Sequence, residues 1–498
     1  MRQTAFLLIL LTLFSGCSVE QPEQDSKKDS PAQSQAAAPG KPAPTAVPSV
    51  ASTESIAQQV EKTLPFLQNI QSTQQGERIP FHSPTGETYE FKVINHSSSS
   101  KGNTNLTAII EGCDTCSMTL VTGKSGSFGR IQTPETTYQL TVENGQARLI
   151  DLYAPGNVIV PKINDTAIPP RPQQRPESQA ATDTTAVPEP PAVGLGEQIT
   201  SSTTIDLMIL YSAGMVQDYP GDLLQTRLNY LVTLTNEAYQ RSNINAAVRL
   251  VHSQQVAFAD SLSNDAALTA ITNGTAPFED TATLRTNHGA DLVMILRSYQ
   301  KDSHGGCGLT WVTGNNGDFT GYAGYGYSAV SDGSDGNYYC TDLTATHELG
   351  HNLGTTHDRA NAGSASPAYP YAYGYGISGS FGTIMSYISP EINRFSNPEQ
   401  VVCGPTDAQI ACGVDENASN SANNTLSINY SAPAVAGFVA TQHSADVDND
   451  GTIDLEDTVK ALQISAGMPS AQSTNIYEDI DGDGRIGVQE AIHALQQQ

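Results

Sequence analysis

Residues 346–358 read THELGHNLGTTHD, and this stretch restricts the fold more than any other in the chain. It holds three of the ten histidines in 498 residues, gathered around one glutamate. In a helix, His347 and His351 stand four residues apart and project from one face. Two imidazoles so spaced can bind one zinc ion. Glu348, next to the first ligand, can then reach a water on that metal. A third histidine, His357, has to come from a different direction, so the helix must stop after Asn352. Gly354 supplies the stop, because glycine accepts the left-handed conformation at little cost. Three protein ligands with an open fourth position is the arrangement of catalytic zinc, not of structural zinc.

Around this motif, residues 198–442 alternate strand-like and helix-like segments. TIDLMILYS, AAVRLVHS and ADLVMIL read as strands, and LLQTRLNYLVTLTNEAYQR at 223–241 as an amphipathic helix. The expected architecture is a mixed α/β (α+β) domain with a twisted sheet and a zinc helix. The stretch resembles the metzincin zinc peptidases, whose signature H-E-x-x-H-x-x-G-x-x-H precedes a methionine turn. Met385, in TIMSY, lies 28 residues after His357, where that turn would be. Asp358 after the third histidine is similar to the reprolysin-like (adamalysin-type) branch. So are GGCGLTWV at 305–312, which looks like a substrate-binding edge strand, RFSNPE at 394–399, and Cys340 seven residues before His347. The resemblance implies a zinc endopeptidase with Glu348 as general base, acting on protein or peptide substrates. Tyr387 stands where the astacin and serralysin branches have a tyrosine that can ligate zinc and stabilise the oxyanion. Here that role competes with simple core packing, since Asp358 points to another branch.

The C-terminal part, 443–498, is a separate acidic module. The chain carries 51 acidic against 24 basic residues, a formal charge of −27, which argues against nucleic-acid binding. The stretches 446–457 and 478–490 hold six and five of those acids. DVDNDGTIDLED places Asp446, Asp448, Asp450, Thr452 and Asp457 at calcium-loop positions. DIDGDGRIGVQE does the same with Asp479, Asp481, Asp483, Arg485 and Glu490. Oxygen ligands suit a hard cation, and Gly451 and Gly484 permit the sharp turn. Each loop leads into a helix-like segment. Loop then helix, twice, resembles a dockerin with two Ca²⁺ ions and, less firmly implied, a cohesin-type partner.

The N-terminus, MRQTAFLLILLTLFSGC, is an apolar run too short to span a bilayer and reads as an export signal of residues 1–16. Its end resembles a bacterial lipobox, which implies lipidation of Cys17 and an outer-membrane or cell-surface lipoprotein. An ordinary cleaved signal is the alternative. Residues 17–50, rich in Pro, Ala, Gln and Ser, cannot bury a core and read as a tether. Residues 53–64 carry helical spacing, and short alternating runs follow from 76 to about 155. Region 51–160 thus reads as a β-rich domain, with the position of a prodomain. The Pro-rich segment 161–197, with Arg171 and Arg175, reads as a cuttable linker, and cutting it would release the enzyme from its anchor. Beyond Cys17, six cysteines remain, and proximity favours the pairs Cys113–Cys116, Cys307–Cys340 and Cys403–Cys412. A free thiolate of Cys113 or Cys116 capping the zinc is the less favoured alternative. The rival to an exported endopeptidase is a calcium-dependent surface binding or adhesion protein with an inactive metzincin domain.

Overall fold

The computed structural model describes residues 72–98, 103–161, 165–170, 203–404, 410–441, 445–448, 452–468 and 485–498, with isolated positions between them. The export signal, Cys17, the tether, the helix expected at 53–64, Arg171 and Arg175 lie outside the described residues. So do Asp450, Gly451, Asp479, Asp481, Asp483 and Gly484.

Seven strands open the described chain: β1 (Arg78–His82), β2 (Thr88–Ser98), β3 (Thr104–Ile110), β4 (Cys113–Thr122), β5 (Gly126–Gln132), β6 (Thr137–Glu143) and β7 (Gln146–Asp151). They form one antiparallel meander in chain order. Asn144 and Gly145 both take positive φ, which lets a two-residue turn join β6 to β7. One face buries Phe81, Phe91, Leu106, Met118, Leu120, Ile131 and Leu140 as a core of its own. The next residues along the same strands point the other way. Val121 and Phe128 join the core of the following domain. β5 is buried almost throughout because it is covered on both sides.

The chain then runs through β8 (Val158–Ile159) and β9 (Thr166–Ala167). Both fall near or inside the segment expected to be an unstructured linker from 161. The start of that segment is instead paired to the next domain. That domain comprises β10 (Thr203–Tyr211), α1 (Ala213–Asp218), α2 (Asp222–Ser242), β11 (Ala246–Gln255), α3 (Asn264–Asn273), α4 (Thr281–Asn287), β12 (Leu292–Ser298), β13 (Gly308–Trp311) and β14 (Tyr327–Asp332). β15 (Ser334–Asp335), β16 (Tyr338–Tyr339), α5 (Thr344–Asn352), β17 (Gly376–Ile377), β18 (Phe381–Gly382) and α6 (Asn424–Val435) complete it. The large sheet has the order β11-β10-β12-β14-β13-β9. β10, β11, β12 and β14 are parallel, and β13 is antiparallel to β14. The central parallel strands β10 and β12 are largely apolar and buried on both faces, as expected of parallel strands inside an α/β sheet.

The meander docks on α2. Phe128 packs against Tyr219 and Tyr230 at ring distances of 5.3 and 5.9 Å. The Arg227 guanidinium lies 5.1 Å from the centre of the Phe128 ring while pairing with Asp332 at 2.6 Å and Asp342 at 2.7 Å. Gln139 of β6 also reaches Asp342, and Thr119 of β4 donates to Glu237. Arg241 and Arg394 both donate to the carbonyl of Asp114, at 2.5 and 3.0 Å.

His304 stands on the loop before β13 and is 2 % exposed. Its Nε2 donates to the carbonyl of Asp260, and its Nδ1 lies 2.7 Å from Ser331 Oγ. Burial, then the charge of Arg297, pushes its pKa down to about 4. An unfolded histidine titrates near 6.5, so as pH falls the unfolded chain takes up this proton first. The contribution of the neutral ring is present above about pH 6.5 and is lost as pH falls through about 4, at most roughly 3 kcal/mol. His304→Gln should therefore flatten the loss of stability over that window, read from urea midpoints at several pH values. An unchanged slope would remove His304 from the account.

In the acidic C-terminal part, α7 (Leu455–Ser465) and α8 (Val488–Gln497) pack around Val447, Ala461, Ile486 and Ala491. Leu455, Val459 and Leu462 on α7 and Val488, Ile492 and Leu495 on α8 stand exposed, each set spaced i, i+4, i+7. Among the described residues, no helix is long and apolar enough to cross a membrane.

Candidate metal centre

Helix α5 carries the first two histidines and is buried over its whole length. Leu349 and Leu353 anchor it in the core. Gly350 has to be small, since a Cβ there would meet Met385 Sδ at 2.6 Å. The helix stops as expected. Gly354 takes φ +77°, with its N–H on the carbonyl of His351 at 2.9 Å, and Thr355 N donates back to Gly350.

The turn brings His357 to the other two. The Nε2 atoms of His347 and His351 lie 3.1 Å apart, as do those of His351 and His357. All three rings are buried. His347 Nδ1 lies 2.7 Å from the carbonyl of Ile384, and His351 Nδ1 lies 2.9 Å from that of Thr355. A carbonyl can only accept, so in both rings Nδ1 carries the proton and Nε2 presents its lone pair. Converging lone pairs 3.1 Å apart in a buried pocket repel unless a cation lies between them, and an N-donor set of this kind suits zinc. The residues therefore fit the metal that the motif implies.

Met385 is fully buried beneath α5, and its carbonyl accepts from Asp358 N at 3.1 Å. Asp358 holds the chain after the methionine: its Oδ2 accepts from Ser386 Oγ at 3.1 Å and from Tyr387 N at 3.0 Å. Tyr387 thus reaches the centre, its hydroxyl 3.1 Å from His357 Nε2. Burial, followed by Asp165, Glu348 and Asp358, pushes that hydroxyl well above the usual tyrosine range. Glu348 faces β13, where Thr310 Oγ1 donates to its Oε2 at 2.5 Å. Gly308 leaves room for it, since a Cβ at that position would fall 2.0 Å from Glu348 Oε1. The Cys307–Cys340 disulfide joins the start of β13 to the segment just before α5.

A fourth group at the centre was not foreseen. Asp165 projects into the cluster, 1 % exposed, and its carboxylate and the three histidines can share one ion. Asp165 Oδ1 lies 2.7 Å from His357 Nε2 and 3.6 Å from His351 Nε2, and Oδ2 lies 3.2 Å from His347 Nε2. Tyr387 donates to Oδ1 at 3.0 Å. The sequence offered one faint signal. PKINDTAIPP holds a lone carboxylate between short apolar pieces, in a segment otherwise marked by its prolines.

The other expected groups are distributed as follows. Cys113–Cys116, Cys307–Cys340 and Cys403–Cys412 are all bonded, so neither Cys113 nor Cys116 is a free thiolate. In the first acidic loop, oxygens of Asp446, Asp448 and Asp457 lie close enough to share an ion. Asp457 also accepts from Asp448 N and Asp454 N at 3.1 and 2.9 Å. Thr452 lies in the same loop. In the second loop, Glu490 accepts from Ile480 N and Gly487 N at 3.1 and 2.6 Å, and Arg485 lies just before Ile486.

Residues 201–413 match the family described as Metallo-peptidase family M12B Reprolysin-like. Residues 49–153 match the BamI lipocalin-like domain. Asp165 lies between the two matches. A peptidyl-Asp metalloendopeptidase of Pseudomonas aeruginosa is 28% identical over 263 residues, 48% of this chain and 41% of its own length. One of Stenotrophomonas maltophilia is 29% identical over 206 residues, 39% of this chain and 45% of its own length. The chain thus spans less than half the length of these relatives. A solved metalloproteinase-II from Bacteroides fragilis aligns with 62% of this chain and 90% of its own at 13% identity. Its TM-score is 0.37. Residues 201–413 are thus similar to a reprolysin-like metallopeptidase domain, and they have a mixed α/β fold.

Proposed function

We propose that the chain is an exported zinc endopeptidase, held by His347, His351 and His357 around one zinc ion and made with region 51–160 as a prodomain. The observation that carries this reading is the convergence of three buried Nε2 atoms, 3.1 Å apart in sequence of contact, beside Glu348. Zinc bound there supplies a Lewis acid and brings the pKa of water towards about 7. The chain's own residues do the rest. Glu348 takes the proton of the attacking water and delivers it to the leaving nitrogen. Thr310 and Gly308 fix the direction of that carboxylate. Once Asp165 has left, Tyr387 is in position to donate to the oxygen that gains charge in the transition state. With β9 gone as well, β13 would offer backbone N–H groups to an extended peptide.

The relatives' name supplies the first substrates to try, peptides containing aspartate beside casein. Processed, zinc-loaded protein should hydrolyse them, stop when a chelator removes the metal, and recover when zinc returns. No hydrolysis by such a preparation would favour the adhesion reading.

The acidic module supports a calcium-dependent attachment role, with ligands from Asp446, Asp448, Asp450, Thr452 and Asp457 in one loop and Asp479, Asp481, Asp483, Arg485 and Glu490 in the other. Two apolar helix faces left exposed on α7 and α8 suit a partner of cohesin type. In the same preparation, calorimetric titration should give two Ca²⁺ sites, and no calcium uptake would sink this part. The match of residues 49–153 to a BamI lipocalin-like domain supports an outer-membrane lipoprotein anchored through Cys17.

A further inference from the structure

Asp165 can be read in two ways. A fourth protein ligand could make the site a permanently closed, structural one. Three contacts argue for a removable plug. First, the carboxylate occupies the position that a three-histidine site leaves open, within 2.7–3.6 Å of all three Nε2 atoms. Second, the residues around it fill the bed of an extended peptide. Thr166 and Ala167 pair with Thr310 and Trp311 of β13, in parallel. Thr310 N donates to Asp165 O and Val312 N to Ala167 O, both at 2.9 Å. An edge strand whose donors are engaged cannot take a second strand. Third, the approach to the plug is tied down. Val158 N and Val160 N donate to Asn337 O and Tyr339 O at 2.8 and 3.0 Å, and Glu391 N donates to Tyr153 OH at 2.9 Å. Glu348 keeps its partner Thr310 throughout, so the catalytic groups are assembled while access is closed.

We infer that Asp165 is an internal inhibitor: its carboxylate takes the fourth position on the zinc and its backbone takes the substrate's place on β13, keeping the full-length chain latent. The inference rests on the zinc-peptidase reading, and its test does not depend on activity alone. Full-length protein and the variants Asp165→Ala and Asp165→Asn are loaded with cobalt in place of zinc, and their visible spectra are compared. Both variants are expected to shift the cobalt bands, because a carboxylate leaves the metal, and to lose the metal faster to a chelator. Peptide hydrolysis by the zinc-loaded full-length chain should rise about 100-fold in the variants, the ratio expected if the plug fills the site in about 99 of 100 molecules. Spectra and chelation rates identical to wild type would overturn the inference, as would a full-length wild type that hydrolyses peptides as fast as the variants. Shifted spectra with no hydrolysis in any form would leave Asp165 a ligand and count instead against the peptidase reading.

Discussion

Glu348→Ala is expected to lower kcat/KM for peptide hydrolysis by about 10²–10⁴-fold while the zinc content stays unchanged. The two effects separate because Glu348 takes no part in the cluster of four groups that can share the ion. Its carboxylate instead faces Thr310 and the space left by Gly308. Removing it deletes the proton carrier and leaves His347 and His351 with their backbone partners at Ile384 and Thr355. Glu348→Gln is the stricter control. The amide keeps the volume and can still accept from Thr310, but it cannot take a proton, so its loss should be similar. The measurement is kcat/KM beside metal analysis on processed protein. Substantial activity in either variant would sink the assignment of Glu348 as general base, and loss of zinc would show that the residue acts through the metal site.

Gly354→Ala is expected to destabilise the catalytic part by roughly 2–5 kcal/mol, the sum of a left-handed penalty of about 1–2 and an overpacking cost of about 1–3. The backbone at this residue has φ +77°, and an added Cβ would lie 2.4 Å from Ala368 Cβ and 2.8 Å from the carbonyl of Thr313. A backbone oxygen cannot step aside as a side chain can. The turn also aims His357, so a shift there should weaken zinc binding as well. Gly354→Asn separates the two causes, since asparagine tolerates the left-handed conformation but still carries the Cβ. If Asn restores stability, the strain dominates; if it behaves as Ala does, the clash dominates. Urea midpoints and zinc affinity measure both, and an Ala variant as stable as wild type would show that the turn can relax.

Most of the centre was legible because its chemistry is local. His347, Glu348, His351, Gly354 and His357 lie within eleven positions, and helix geometry alone relates the first three. The strands that read clearly, such as β10 and β12, are continuous apolar runs buried on both faces. β5, GSFGRIQ, carries no such signal. Its glycines are there for neighbours: a Cβ at Gly126 would meet the carbonyl of Val142 at 2.0 Å, and one at Gly129 would meet Leu120 at 2.3 Å. Gly308 was seen only as part of a strand, since its reason is the side chain of Glu348. Asp165 was hidden for the same cause. Nothing in PKINDTAIPP repeats with a helical or strand period long enough to notice, and the three rings that give its carboxylate meaning come from far along the chain.

The shared core of the meander and α2 has a consequence for how the molecule could be opened. Val121 and Phe128 are packed into the second domain, and Arg241 and Arg394 hold the Cys113–Cys116 turn. Severing the chain between Ile168 and Thr203 breaks none of these contacts. A single cut would turn one molecule into a bound pair of fragments, with Asp165 still on the metal centre. Release then becomes a dissociation governed by mass action, favoured by dilution and opposed by crowding at a surface. A protein held at a membrane and the same protein shed into open solution would sit at opposite ends of that equilibrium.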